Sequence, residues 1–147
     1  MRFMVIVKAS KDSEAGVMPE EKLFAEMAAY HEELAKAGML LDGSGLQRSA
    51  LGWRIKYDGA KRTVVDGPFA ETKELIAGYT LIQAKSREEA LEWTRRFPNP
   101  AGDGKPAEIE VRQLFELEDF GSSDTLDCWT RARRSCGPRL EQPLCSE

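Results

Sequence analysis

The sequence predicts an α+β domain in which two helices lie on one side of an antiparallel sheet, in the βαββαβ order of ferredoxin-like folds, with a β-hairpin inserted midway. Three observations carry this expectation. Extended runs occupy residues 2–8, 39–46, 76–84 and 108–115; apolar residues recur at helical spacing over 19–37 and 86–97; and two alternating runs meet at Asp58-Gly59, a hairpin turn signal.

In the first run Phe3, Val5 and Val7 point one way and Met4 and Ile6 the other, so both faces of this strand are apolar and both need cover. Pro19 followed by Glu20 and Glu21 suits a helix start, and Gly38 supplies the stop. Between them Leu23, Phe24, Met27, Ala28, Tyr30, His31, Leu34 and Ala35 share one arc, opposite Lys22, Glu26, Glu33 and Lys36. After the extended segment Met39 to Leu46, Trp53, Ile55 and Tyr57 alternate with Arg54 and Lys56, turn at Asp58-Gly59 and return through Arg62 to Asp66.

Ile76 to Ala84 reads as the next strand. Ser86 with Glu89 forms an S-x-x-E capping box opening a helix with Ala90, Leu91, Trp93, Thr94 and Phe97 inward, closed by Pro98 and Pro100. A loop through Gly102 and Gly104 leads to the last strand, Glu108 to Phe115, with Ile109, Val111 and Phe115 on one face. Only one side of the sheet receives helices, so a second copy of the same sheet is the economical cover for the other, and a homodimer is expected.

Composition narrows the function classes. The 147 residues carry 21 Lys plus Arg against 25 Asp plus Glu, a net charge of -4 that lacks the basic excess of a dedicated nucleic-acid binder. No apolar run approaches the roughly 20 residues needed to span a bilayer, and the N-terminus does not resemble a signal peptide, so no membrane partner and a cytoplasmic location are expected. Cys128, Cys136 and Cys145 all lie after residue 121, without any C-x-x-C pair and far from His31, so neither a disulfide framework nor a zinc site is expected. Residues 122–147 have balanced charge and no sustained apolar period, and read as a poorly ordered tail behind a domain of residues 1–121. No G-x-G-x-x-G, Walker sequence or nucleophile elbow occurs, and no cofactor is expected.

The segment Asp66 to Glu74, D-G-P-F-A-E-T-K-E, concentrates chemistry. Asp66 can accept backbone donors, Gly67 relieves steric limits and Pro68 fixes the exit angle, so the segment can be a rigid turn. Glu71, Thr72, Lys73 and Glu74 add carboxylates, a hydroxyl and an ammonium, which can hold a polar ligand or simply sit in water.

The strings VVDGPFAETKELIAGY, YHEELAKAGMLLDGSGL, SREEALEWTRRFPNP and EIEVRQLFELEDFG resemble, in the same order, the DGPF family of YCII-related proteins over residues 1 to about 121. The resemblance implies a fold of the dimeric α+β barrel type. Members are mostly uncharacterised, and some accompany extracytoplasmic-function sigma factors, which implies a regulatory partner of that kind. Relatives in the wider superfamily use a His-Asp dyad, and one branch eliminates chloride from a lactone. Here the dyad positions fall on Met27 and Phe97, neither of which can move a proton, and no Asp lies between Ser86 and Asn99. At the place of His31 the family commonly has Asn, which implies ligand contact before a shared catalytic role.

Read by itself, His31 on the apolar arc is either a core histidine satisfied by a neighbour or a proton carrier at a helix-sheet cleft. Two hypotheses follow. One is a homodimeric small-ligand-binding or regulatory accessory protein, with a pocket between helix 19–37 and the sheet and the Asp66 to Glu74 loop at its mouth; its ligand contacts are Asp66, Phe69, Glu71, Thr72, Lys73 and Glu74 with Tyr30 and His31. The alternative is a cofactor-free lyase, of the dehydrochlorinase kind, or isomerase, with His31, Asp66 and Glu74 as catalytic candidates.

Overall fold

The apolar alternation of residues 2–8 becomes the second strand in from one edge of a sheet, flanked on both sides. In the computed structural model, which describes residues 1–70 and 74–120, the elements are β1 (Arg2–Lys8), α1 (Lys11–Glu14), α2 (Glu21–Lys36), β2 (Leu40–Gly45), β3 (Trp53–Asp58), β4 (Lys61–Asp66), β5 (Ile76–Gln83), α3 (Arg87–Arg95) and β6 (Ile109–Gln113), with 3₁₀ turns at Ser49–Leu51 and Leu117–Phe120. The main sheet has the order β2-β5-β1-β6 with every neighbouring pair antiparallel. The hairpin β3-β4 is a two-stranded sheet of its own. Leaving out α1 and the hairpin gives βαββαβ, the ferredoxin-like arrangement that the periodicities predict.

Register decides which side of β1 is core. Phe3 pairs with Ile82 and Val5 with Thr80, and these four residues are buried together on one face with Tyr30 and Leu34 of α2 and Ala90 of α3. Val5, Leu34 and Ile82 have no exposed surface, and burial of each such side chain contributes roughly 1.5–3 kcal/mol. Met4, Ile6 and Leu81 stand on the opposite face, half-buried.

The helix ends show why these spans are helical. Glu20 is the extended N-cap of α2, and its carbonyl accepts from Leu23 and Phe24, so the helix begins two residues after the expected Pro19. At the other end the Gly38 N–H donates to the Ala35 carbonyl and the Met39 N–H to that of Leu34, both at 2.9 Å, with Gly38 at φ +69. This is a Schellman stop, and it drops Met39 into the core beside Leu34. Ser86 caps α3 by accepting from the Glu89 N–H at 3.2 Å. The Glu89 carboxylate reaches one residue further back than the capping box predicts and accepts from the Lys85 N–H at 2.6 Å.

Three expectations are corrected and one element is added. The added element is α1, which the sequence does not predict because four residues hold no apolar period. On α3, Leu91 is 39 % exposed while Ala90 and Thr94 are buried, since the α3 stripe facing the sheet is too narrow to include it. On α2, Phe24, Ala28 and Ala35 of the expected inward arc are exposed, so the arc is narrower than predicted there too. β6 ends at Gln113, which leaves Phe115 beyond the strand and exposed.

The chain divides into a unit of residues 1–114 and a second unit from Phe115 onward. Of the second unit residues 115–120 are described, ending in the 3₁₀ turn, and the Phe115 and Phe120 rings lie 5.1 Å apart. The tail of residues 122–147, with its three cysteines, lies outside the described residues.

Candidate functional site

Between the first turns of α2 and the helix-covered sheet face lies a cavity of about 770 Å³, within the size range of small-molecule sites. Leu23, Phe24, Met27 and His31 form its helix wall, Gly43 to Gly45 and Ala77 to Thr80 its floor. Phe97, Pro100 and Ala101, following α3, close one side, and Ser10, Ser13 and Pro19, around α1, close the other.

His31 is the imidazole of this cavity. Its Nε2 lies 2.8 Å from the Thr80 hydroxyl, across 49 residues of sequence, and Thr80 itself is 2 % exposed. The ring lies over Gly43 on β2, its Nε2 and Cε1 at 3.5 and 3.6 Å from where a Cβ would stand, an ordinary van der Waals separation. Burial lowers the His31 pKa below the ordinary imidazole value, so at neutral pH the ring is uncharged and can donate or accept one hydrogen bond.

Other polar residues along the wall are spent elsewhere. Lys8 Nζ is 2.6 Å from Glu110, and the Tyr79 hydroxyl donates to Asp42 at 2.7 Å, both on the helix-free face of the sheet. Ser10 and Ser13 bond each other's backbone in a capping box. Glu108 stands exposed at the rim. The result is a largely apolar chamber with one neutral imidazole-hydroxyl pair joining its helix wall to its floor.

The predicted site residues are distributed differently. Tyr30 is 5 % exposed, donates its hydroxyl to the Trp93 carbonyl at 3.1 Å and meets the Phe97 ring edge-on at 5.2 Å. Burial first of all pushes its phenol up to about 12, so it stays a protonated donor of the core. Asp66, Phe69 and Glu74 are not among the residues that line the cavity. Glu71, Thr72 and Lys73 lie outside the described residues.

Instead the D-G-P-F segment is bonded to the 3₁₀ turn beside it. The Gly67 N–H donates to the Gly52 carbonyl at 3.0 Å and the Phe69 N–H to the Ser49 hydroxyl at 3.1 Å, while the Arg54 guanidinium lies 4.0 Å from the Phe69 ring centre. The acceptor role expected of Asp66 thus falls, for these two donors, to residues 49 and 52. Sequence reasoning missed Thr80 and the Ser10–Ser13 pair; alternation on β5 places Thr80 on the face of Ile82, the one signal that could have found it.

Met27 and Phe97, the two positions on which the resemblance sets the dyad, both line this cavity, and His31 stands one helical turn beyond Met27. Among the described residues no three His, Cys, Asp or Glu gather as a metal set, and no helix is long and apolar enough to cross a membrane.

Comparison with known proteins gives three findings. Residues 1–117 match the YCII-related domain. An uncharacterised protein of Rhizobium meliloti (strain 1021) is 30% identical over 95 residues, which cover 65% of this chain and 75% of that one. A solved structure of 5-chloro-2-hydroxyhydroquinone dehydrochlorinase from Burkholderia phenoliruptrix AC1100, in complex with 2,5-dihydroxybenzoquinone, aligns with a TM-score of 0.40 at 16% identity, covering 79% of this chain and 95% of that chain.

Proposed function

The chain belongs to the family of YCII-related domain proteins, and from that premise we propose that it is a homodimeric, cytoplasmic small-ligand-binding protein of regulatory or accessory type. Its ligand is a compact, largely apolar molecule with one hydroxyl, carbonyl or similar group directed at His31. The observation that carries this reading is the make-up of the cavity: apolar walls from Leu23, Phe24, Met27 and Phe97 around the single His31–Thr80 pair. An uncharged imidazole offers a hydrogen bond at small desolvation cost, which suits a neutral ligand better than an ion.

Proton-transfer catalysis, the alternative, draws support from His31 alone, since Met27 and Phe97 supply no partner for it. The dimer is supported by the helix-free sheet face. There Met4, Ile6 and Leu81 form an apolar centre, with the Lys8–Glu110 and Tyr79–Asp42 pairs around it, the layout of an interface core with a polar rim. An association with an extracytoplasmic-function sigma factor rests on the family resemblance, and co-purification with such a factor from the native host is its test.

A fragment screen of alicyclic and aromatic alcohols and ketones, read by thermal shift, tests the cavity. Hits are expected to raise the melting temperature by mass action and to lose that effect in His31→Phe. Hits that stabilise His31→Phe equally would remove His31 from the site.

A further inference from the structure

The D-G-P-F segment remains unexplained by the cavity it does not line. Its hydrogen bonds lead, however, to one of the cavity walls. The Phe69 N–H donates to the Ser49 hydroxyl at 3.1 Å. Ser49 in turn gives its hydroxyl proton and its backbone N–H to the Glu14 carboxylate, the latter at 3.2 Å to each oxygen. Glu14 is the last residue of α1, whose Ser10 and Ser13 line the cavity.

α1 depends on that connection. It is four residues long, far below the length at which a helix holds itself, and buries none of its side chains. Its internal bonds, the Ser10–Ser13 capping box and the Ala15 and Val17 N–H groups donating to Lys11 and Asp12, keep the turn intact as a unit without fixing it to the sheet. The unit is entered after Ala9, whose N–H is bonded to the Leu75 carbonyl, and left through Gly16 at φ +79 and the exposed Val17 and Met18.

We propose that residues 10–18 form a lid over the cavity and that Glu14, through Ser49, latches it to the D-G-P-F segment. The motif thereby governs access to the site without touching the ligand. This deepens the proposed function, because a lid has a role only if the cavity admits a ligand. A turn held by charge-assisted hydrogen bonds and no buried side chain can swing as one body once those bonds are lost.

The experiment is hydrogen exchange by mass spectrometry on the full chain, with trypsin cleavage after Lys11 as a second reading. In Glu14→Ala, amides of residues 10–18 are expected to exchange about tenfold faster or more and Lys11 to become a cleavage site, while β5 and α3 keep their protection. Ser49→Ala, which loses the hydroxyl but keeps the backbone N–H that donates to the carboxylate, and Glu14→Gln, which keeps one acceptor oxygen, should both speed exchange by less than Glu14→Ala. Unchanged exchange in both alanine variants would overturn the latch. Faster exchange spread over β5 and α3 would also overturn it, since Glu14 would then support the whole fold. Neither readout requires a ligand, so failure of the latch and failure of the fragment screen are separate results.

Discussion

Gly67 brings its α-carbon so close to the Ser49 carbonyl that an added Cβ would lie 1.9 Å from the oxygen and 2.7 Å from its carbon. Both are backbone atoms of the 3₁₀ turn, so the contact cannot be relieved by a side-chain rotation. Gly67→Ala is expected to destabilise by roughly 1–3 kcal/mol or more, as overpacking does. Asp66→Asn, at an exposed position, should stay within about 0.5 kcal/mol. Urea unfolding of the two variants checks this, and wild-type stability in Gly67→Ala would show that the turn is free to move away.

The single histidine allows a clean pH test. Burial lowers the folded-state pKa of His31 below its unfolded value. At pH above the ordinary imidazole value of about 6.5 both states are neutral and the contribution is fully present. As pH falls through that value the unfolded chain takes up the proton first, and stability is lost until His31 itself titrates. The one imidazole resonance in an NMR titration should therefore move at a pH below that of the unfolded chain. A midpoint at or above the unfolded value would contradict the buried setting.

Because Thr80 and His31 satisfy each other, their removal should be non-additive. Thr80→Val leaves the imidazole nitrogen without its partner and is expected to cost about 1–3 kcal/mol, and His31→Phe leaves the buried hydroxyl unpaired at a similar cost. The double variant should lose less than the two single losses combined. Strict additivity in chemical denaturation would mean that the 2.8 Å contact contributes nothing to stability.

The two faces of β1 should respond differently to charge. Val5 has no exposed surface beneath the helices, so Val5→Glu is expected to prevent folding. Ile6 stands on the helix-free face, so Ile6→Glu should keep the circular dichroism of the wild type and yield a monomer in sedimentation velocity at micromolar concentration. A wild-type protein that is already monomeric at that concentration would overturn the proposed dimer.

Local pattern determined the six strands, the two longer helices and their order in this protein. The alternation of Phe3, Val5 and Val7 with Met4 and Ile6 gives β1, the Gly38 stop ends α2, Ser86 opens α3, and the paired runs around Asp58-Gly59 give the hairpin. Each of these signals lies within a few residues along the chain, where dihedral preference, capping and side-chain period act. Tertiary structure alone decided which face of β1 receives the helices, that Thr80 stands under His31, that the D-G-P-F segment meets Ser49, which in turn holds Glu14, and that it stays out of the cavity lining. Those relations join residues tens of positions apart. Strand register and the packing of α2 on the sheet set them, and neither quantity is encoded in any short window of sequence.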